Sequence, residues 1–86
     1  MKPRPTFTEL TAFAAVARLG SFRGAADELG MSPSTLSHTM RGLEERLGLR
    51  LFNRTTRSVA LTEAGERLFR NLTPVLHDLD RALTDV

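Results

Sequence analysis

The stretch Ser21-Phe22-Arg23-Gly24-Ala25-Ala26-Asp27-Glu28-Leu29-Gly30-Met31-Ser32-Pro33-Ser34-Thr35-Leu36-Ser37-His38-Thr39-Met40-Arg41 decides the fold. It reads as two short helices around a tight turn. Ser21 stands where an N-cap hydroxyl is needed, and Phe22, Ala25, Ala26 and Leu29 then form one apolar face before Gly30 stops the helix. Ser32 caps the next helix, with Pro33 at its first position, where a missing N–H does no harm. A connection of only Gly30-Met31-Ser32 forces the chain to turn abruptly, which is the geometry of a helix-turn-helix. On the second of these helices Leu36, Met40, Leu43 and Leu47 share a face and point to a core. Ser34, Ser37, His38 and Arg41 form a polar stripe at i, i+3, i+4 and i+7 on the other side. In such a motif the N-terminal half of the second helix reaches base edges. Hydroxyl, imidazole and guanidinium groups are suited to base edges and phosphates. Capping alone explains Ser32 but not Ser37, His38 and Arg41, which lie beyond the first turn.

Working outward, Thr6-Phe7-Thr8-Glu9 has capping-box spacing, Leu10, Phe13, Ala14 and Ala17 mark an inner face, and Gly20 ends that first helix. The helix begun at Ser32 runs to about Leu47 and stops at Gly48. Leu51-Phe52-Asn53 and Val59-Ala60-Leu61 are short β-type runs joined by Arg54-Thr55-Thr56-Arg57-Ser58, a small hairpin or wing. Thr62 caps a fourth helix, with Glu63 and Glu66 in the first turn, where the helix dipole favours acids. It is expected to run to the chain end, continuous but kinked at Thr73-Pro74, the alternative being a break with Thr73 as a new cap. The expected fold is mainly α: a winged helix-turn-helix of three helices and a two-stranded wing, followed by a long helix.

That last helix has two apolar stripes. Gly65, Leu68, Leu72, Val75, Leu79, Ala82 and Val86 repeat at spacings of three and four, and Phe69, Leu76 and Leu83 lie one position on. One stripe is expected to face the body and the other a second chain, with Leu68, Leu72, Val75, Leu76, Leu79 and Leu83 as the dimerisation residues. The alternative is a helix folded back on its own domain.

Composition sets the limits. The 86 residues make one small domain with an appended element, and 41% hydrophobic with 26% charged residues is a globular balance. Cysteine is absent, which removes disulfides and thiolate metal sites. No apolar run approaches the ~18 residues of a membrane span and no signal-peptide pattern opens the chain, so a cytoplasmic location without membrane contact is expected. Arg outnumbers Lys eleven to one, and the +2 net charge hides an uneven distribution. Residues 1–61 carry nine basic and five acidic side chains, whereas residues 62–86 carry three and five. A basic front suits a polyanion, and an acidic tail suits another task. His38 and His77 have no further ligands of metal-site spacing, His77 beside Asp78 and Asp80 reads as a solvated face, and no nucleophile elbow is present. No metal, cofactor or catalytic set is therefore expected, and the chain is read as a non-enzyme. Gly24 and Gly42 read as points of close packing, and Phe22 and Phe52 as core rather than base-stacking residues.

The strings Ser21–Leu29, Ser32–His38, Leu43-Glu44-Glu45-Arg46-Leu47-Gly48, Leu51-Phe52-Asn53-Arg54-Thr55 and Leu61-Thr62-Glu63-Ala64-Gly65 resemble the N-terminal domain of LysR-type transcriptional regulators, in the family's order and spacing along essentially the whole chain. The resemblance implies sequence-specific binding of double-stranded DNA by a bacterial regulator. It implies a DNA-binding domain over residues 1–61, with the helix-turn-helix at about 21–47 and the wing at about 51–61. Residues 62–86 would be a linker helix that pairs antiparallel with its twin in a homodimer. Pro33, Ser34, Ser37, His38 and Arg41 would meet the major groove. Arg54, Thr56 and Arg57 of the wing would meet the backbone or minor groove, and Ser21 a phosphate. Many members carry Gln at the position of Pro33 and Arg at that of His38, so no base preference is carried over. The small-molecule effector would belong to a domain outside these 86 residues, with a tetramer as the full-length assembly, and the chain would be an excised or truncated part of a larger protein. The contrasting function is a winged-helix interaction or dimerisation module that binds no DNA.

Overall fold

The computed structural model describes residues 4–54 and 59–86, with Arg54 as backbone only. Helix α1 spans Phe7–Leu19, α2 Phe22–Leu29 and α3 Pro33–Leu47. Strands β1 (Phe52–Arg54) and β2 (Val59–Leu61) pair antiparallel, with Phe52 opposite Leu61 and Arg54 opposite Val59. Helix α4 spans Glu63–Thr84. This is the winged helix-turn-helix with its long C-terminal helix.

The start and stop signals work as the residue chemistry dictates. Thr6 accepts from the Glu9 amide while the Glu9 carboxylate accepts from the Thr6 amide, closing a reciprocal capping box. Ser21, Ser32 and Thr62 each accept a backbone N–H three residues on. Gly30 ends α2 at φ 70°, a left-handed conformation that costs glycine nothing and lets the chain reverse into α3.

Two expectations shift. The buried face of α1 is Ala12, Phe13, Ala15 and Val16, while Leu10, Ala14 and Ala17 are only partly buried. Helix α1 touches α2, α3 and α4 at once, so its inner surface is wider than a single stripe. Strand β1 begins at Phe52 rather than Leu51, because the Leu51 N–H is drawn out of the ladder to Glu44 Oε2 at 2.8 Å. Helix α4, as expected, is continuous through Pro74. The acceptor that Pro74 cannot serve, the carbonyl of Arg70, lies on an exposed residue where water can take the bond.

The two tail stripes also divide differently. Leu72 is buried, and Leu68, Phe69 and Leu76 pack against the core, so both stripes serve the body along the first half of α4. In the second half Val75 is 59% and Leu83 67% exposed. At 1.5 Å per residue this helix is about 33 Å long, more than a body this small can cover.

The wing root is tied to both flanking helices. Glu44 Oε2 accepts the N–H groups of Leu51 and Phe52, at 2.8 and 3.3 Å. The Leu51 carbonyl accepts from the Thr62 amide at 3.0 Å, and the Thr62 hydroxyl donates to the Arg50 carbonyl at 2.6 Å. Gly65, in the first turn of α4, lies against the same Leu51 carbonyl, and a Cβ there would collide with it. Overpacking against backbone costs about 1–3 kcal/mol, and the gain of about 1 kcal/mol in helix propensity from Gly to Ala offsets only part of it. Gly65→Ala is therefore expected to lower the urea-unfolding free energy by up to about 2 kcal/mol. An equally or more stable variant would show that this contact relaxes freely. Gly42 is the other tight point, with Arg46 Nη1 3.2 Å and Glu9 Oε2 3.4 Å from a built Cβ, whereas Gly24 has ordinary room.

Candidate nucleic-acid interface

The start of α3 projects from the body, because its inward residues Leu36, Met40 and Leu43 are fully buried. Pro33, Ser34, His38 and Arg41 on the other side are exposed, and Ser37 is half-buried. The structure therefore brings the predicted stripe to one surface. The hydroxyls at the helix start form a small network. Ser32 accepts from the Thr35 amide at 3.1 Å, donates to the Thr35 hydroxyl at 2.8 Å and sits 3.3 Å from the Ser34 hydroxyl. Thr39 donates to the Thr35 carbonyl one turn back at 2.9 Å. Ser32 and Thr39 thus serve the helix, while Ser34, Thr35, His38 and Arg41 are exposed polar residues of its first half and Ser37 is half-buried among them.

Ser21 is half-buried at the start of α2, where its oxygen accepts from the Gly24 amide at 3.0 Å. A hydroxyl used in this way keeps its proton for an outside acceptor, such as a phosphate near the helix N-terminus. Thr56 and Arg57 of the wing lie outside the described residues, and Arg54 is placed on β1 by its backbone.

The arginine-rich front is not uniform. Arg46 is only 33% exposed at its side chain and is ion-paired with Glu9 of α1. Arg18 pairs with Glu28 across α1 and α2. Arg4, Arg23, Arg41 and Arg50 stand exposed, where they can meet an outside anion. In the sequence Glu9 shows only as half of a capping box, and Arg46 only as one of the nine basic residues of the front. Residues 37 positions apart give no periodic signal, so only the packed helices reveal the pair.

Of the residues expected to pair chains, Leu72 is in the core, Leu68 and Leu76 pack against it, Leu79 is half-buried, and Val75 and Leu83 are exposed. Val86, on the same stripe, is also exposed. His77, Asp78 and Asp80 are exposed on the same helix. Among the described residues no group of three or more His, Asp or Glu could hold a metal ion, and no helix is long and apolar enough to cross a membrane.

Residues 7–66 match the profile of the bacterial regulatory helix-turn-helix protein, lysR family. The chain is 52% identical over 83 residues to the HTH-type transcriptional regulator PgrR of Escherichia coli K12, covering 96% of this chain and 28% of PgrR. The chain thus spans about a quarter of the length of the curated relatives it matches. Among solved structures, oxidised OxyR of Corynebacterium glutamicum superimposes with a TM-score of 0.91 at 34% identity, covering 99% of this chain and 28% of that one. The BenM DNA-binding domain in complex with catB site 1 DNA superimposes with a TM-score of 0.86 at 32% identity, over 92% of this chain and 89% of that one.

Proposed function

Because this chain belongs to the lysR family of bacterial regulatory helix-turn-helix proteins, we propose that it binds duplex DNA sequence-specifically, as the DNA-reading part of a transcriptional regulator. One observation carries the reading: Ser34, His38 and Arg41, with Ser37 between them, stand outward on the N-terminal half of α3, while the opposite face of that helix is sealed into the core. This half of α3 enters the major groove. Pro33 contributes shape there, and the four polar residues contribute donors and acceptors. Ser21 meets a phosphate at the start of α2, and Arg54, Thr56 and Arg57 extend the contact through the wing.

Residues 1–61 form the reading head and residues 62–86 a linker helix that pairs two heads antiparallel. The exposed apolar positions Val75, Leu83 and Val86, with half-buried Leu79, support the pairing. Two heads joined this way place their reading helices in successive major grooves, roughly 34 Å apart. The charge division agrees: the basic head meets DNA, and the acidic helix lies away from it.

Selection of bound duplexes from a random pool tests the reading. The expected product is a sequence with two-fold symmetry whose half-sites are about one helical turn apart or a multiple of it. A pool with no enrichment at low salt would overturn DNA binding and leave a winged-helix interaction module. An enriched single half-site would keep DNA binding and remove the paired arrangement.

A further inference from the structure

The face of α3 that turns toward the N-terminal end of α1 forms an open groove, lined by Thr6, Thr8 and Glu9 on one side and by His38, Arg41 and Arg46 on the other. At its floor lies Glu9, 6% exposed and the one buried charged residue among those described. Both of its oxygens are engaged. Oε1 accepts the Thr6 amide at 2.8 Å, and Oε2 accepts the Arg46 guanidinium across the helix interface. Gly42 leaves room for this approach, since a Cβ there would lie 3.2 Å from Arg46 Nη1 and 3.4 Å from Glu9 Oε2. Three residues from two helices thus form a polar lock beside the reading stripe.

A buried ion pair is weak evidence for stability, because desolvation offsets much of the attraction. Its distinctive property is geometry. The core that α1 and α3 share includes Phe13, Val16, Leu36 and Met40, and apolar contact is non-directional. It resists separation better than it resists a small slide or roll. A carboxylate–guanidinium hydrogen bond is directional and confines distance and angle to narrow ranges. Arg46 is eight residues from His38, about 12 Å along the helix. A tilt of about 10° at the Arg46 end would therefore move the His38 end by about 2 Å, outside the tolerance of a base contact.

We propose that Glu9 and Arg46 are positioning residues for sequence reading: their lock, admitted by Gly42, sets the roll and tilt of α3 on α1 and thereby the base selectivity of the stripe from Ser34 to Arg41. The proposal rests on the DNA-reading function above. It separates Arg46 from the arginines that meet phosphates.

The test compares wild type, Arg46→Met and Arg46→Lys on two duplexes, the selected sequence and a scrambled one of equal length, each titrated at several salt concentrations. Arg46→Met is expected to lower the ratio of selected to scrambled affinity about tenfold. Affinity for the scrambled duplex and its salt slope should stay unchanged, and Arg46→Lys should restore most of the selectivity. A salt slope reduced by about one in Arg46→Met would make Arg46 a phosphate contact and overturn the proposal. Unchanged selectivity beside a lower Tm would make the pair merely structural and overturn it equally. Should Arg46→Met fail to fold, Glu9→Gln weakens the same bond while keeping an oxygen for the Thr6 amide, and wild-type selectivity in that variant would be decisive against the lock. Absence of any duplex binding by the wild type is a different result, since it removes the DNA reading itself.

Discussion

Phe52→Ala is expected to lower the unfolding free energy by about 4 kcal/mol, since emptying a fully buried aromatic site costs about 3–5 kcal/mol. Phe52 is wholly buried. Its ring centroid lies 5.5 Å from that of Phe13 and 5.6 Å from that of Phe22, and Phe13 in turn lies 6.5 Å from Phe69. This chain of four rings joins β1, α1, α2 and α4, with Phe52 the wing's anchor among the helices. The void left by its removal is walled by elements already held by their caps and by the Leu51 contacts, so collapse can refill little of it. A domain of this size has a total stability of roughly 4–13 kcal/mol, so the variant is left marginal. Thermal unfolding followed by circular dichroism should show Tm lower by about 15–30 °C. A decrease under about 5 °C would mean that the wing root is not tied to the helices through this ring.

The second large effect concerns assembly. Leu83→Asp is expected to convert a dimer into a monomer without unfolding the head. Leu83 is 67% exposed and on the last turns of α4, so within one chain the change is a surface substitution, worth within about 0.5 kcal/mol. Across a paired helix it would bury a carboxylate beside the acidic groups Asp78, Asp80 and Asp85. Sedimentation at high micromolar concentration should read monomer, and affinity for a two-half-site duplex should fall by about 10²–10⁴, the loss of effective concentration when two heads are unlinked. Tm measured at a concentration where the parent is already monomeric should hardly move. A variant that stays dimeric would refute pairing through the end of α4. Leu72→Asp would answer nothing, because Leu72 belongs to the core of its own head.

Much of the fold is legible because its signals are local. Each helix begins at a hydroxyl that caps its own first turn, and the first three end at glycines that close the last. The turn at Gly30–Ser32 is a three-residue problem with few solutions. The stripe from Ser34 to Arg41 follows from helical period alone, and its outward direction follows from the apolar residues it opposes. The offset of β1 was not legible, because the Glu44 carboxylate that competes for the Leu51 amide comes from another element. Nor was the division of α4. Periodicity marks which side of a helix is apolar, but how far along the helix the body reaches depends on the body's dimensions.

The amino-acid sequence by itself determined the elements, their order and the polar stripe of α3, because capping, glycine stops and the 3.6-residue period act within a few residues of one another. It also determined family membership, through motifs whose spacing runs along the chain. Only the tertiary structure decided which charges are outward and which are engaged. It made Arg46, one of the front's basic residues, the partner of Glu9, drew Leu51 out of the strand, and gave the first half of α4 to its own core while leaving Val75, Leu83 and Val86 exposed. The physical reason is the same in each case: an ion pair, a side-chain acceptor for a backbone amide, or an apolar contact between distant residues has no period in sequence and exists only once the helices are packed.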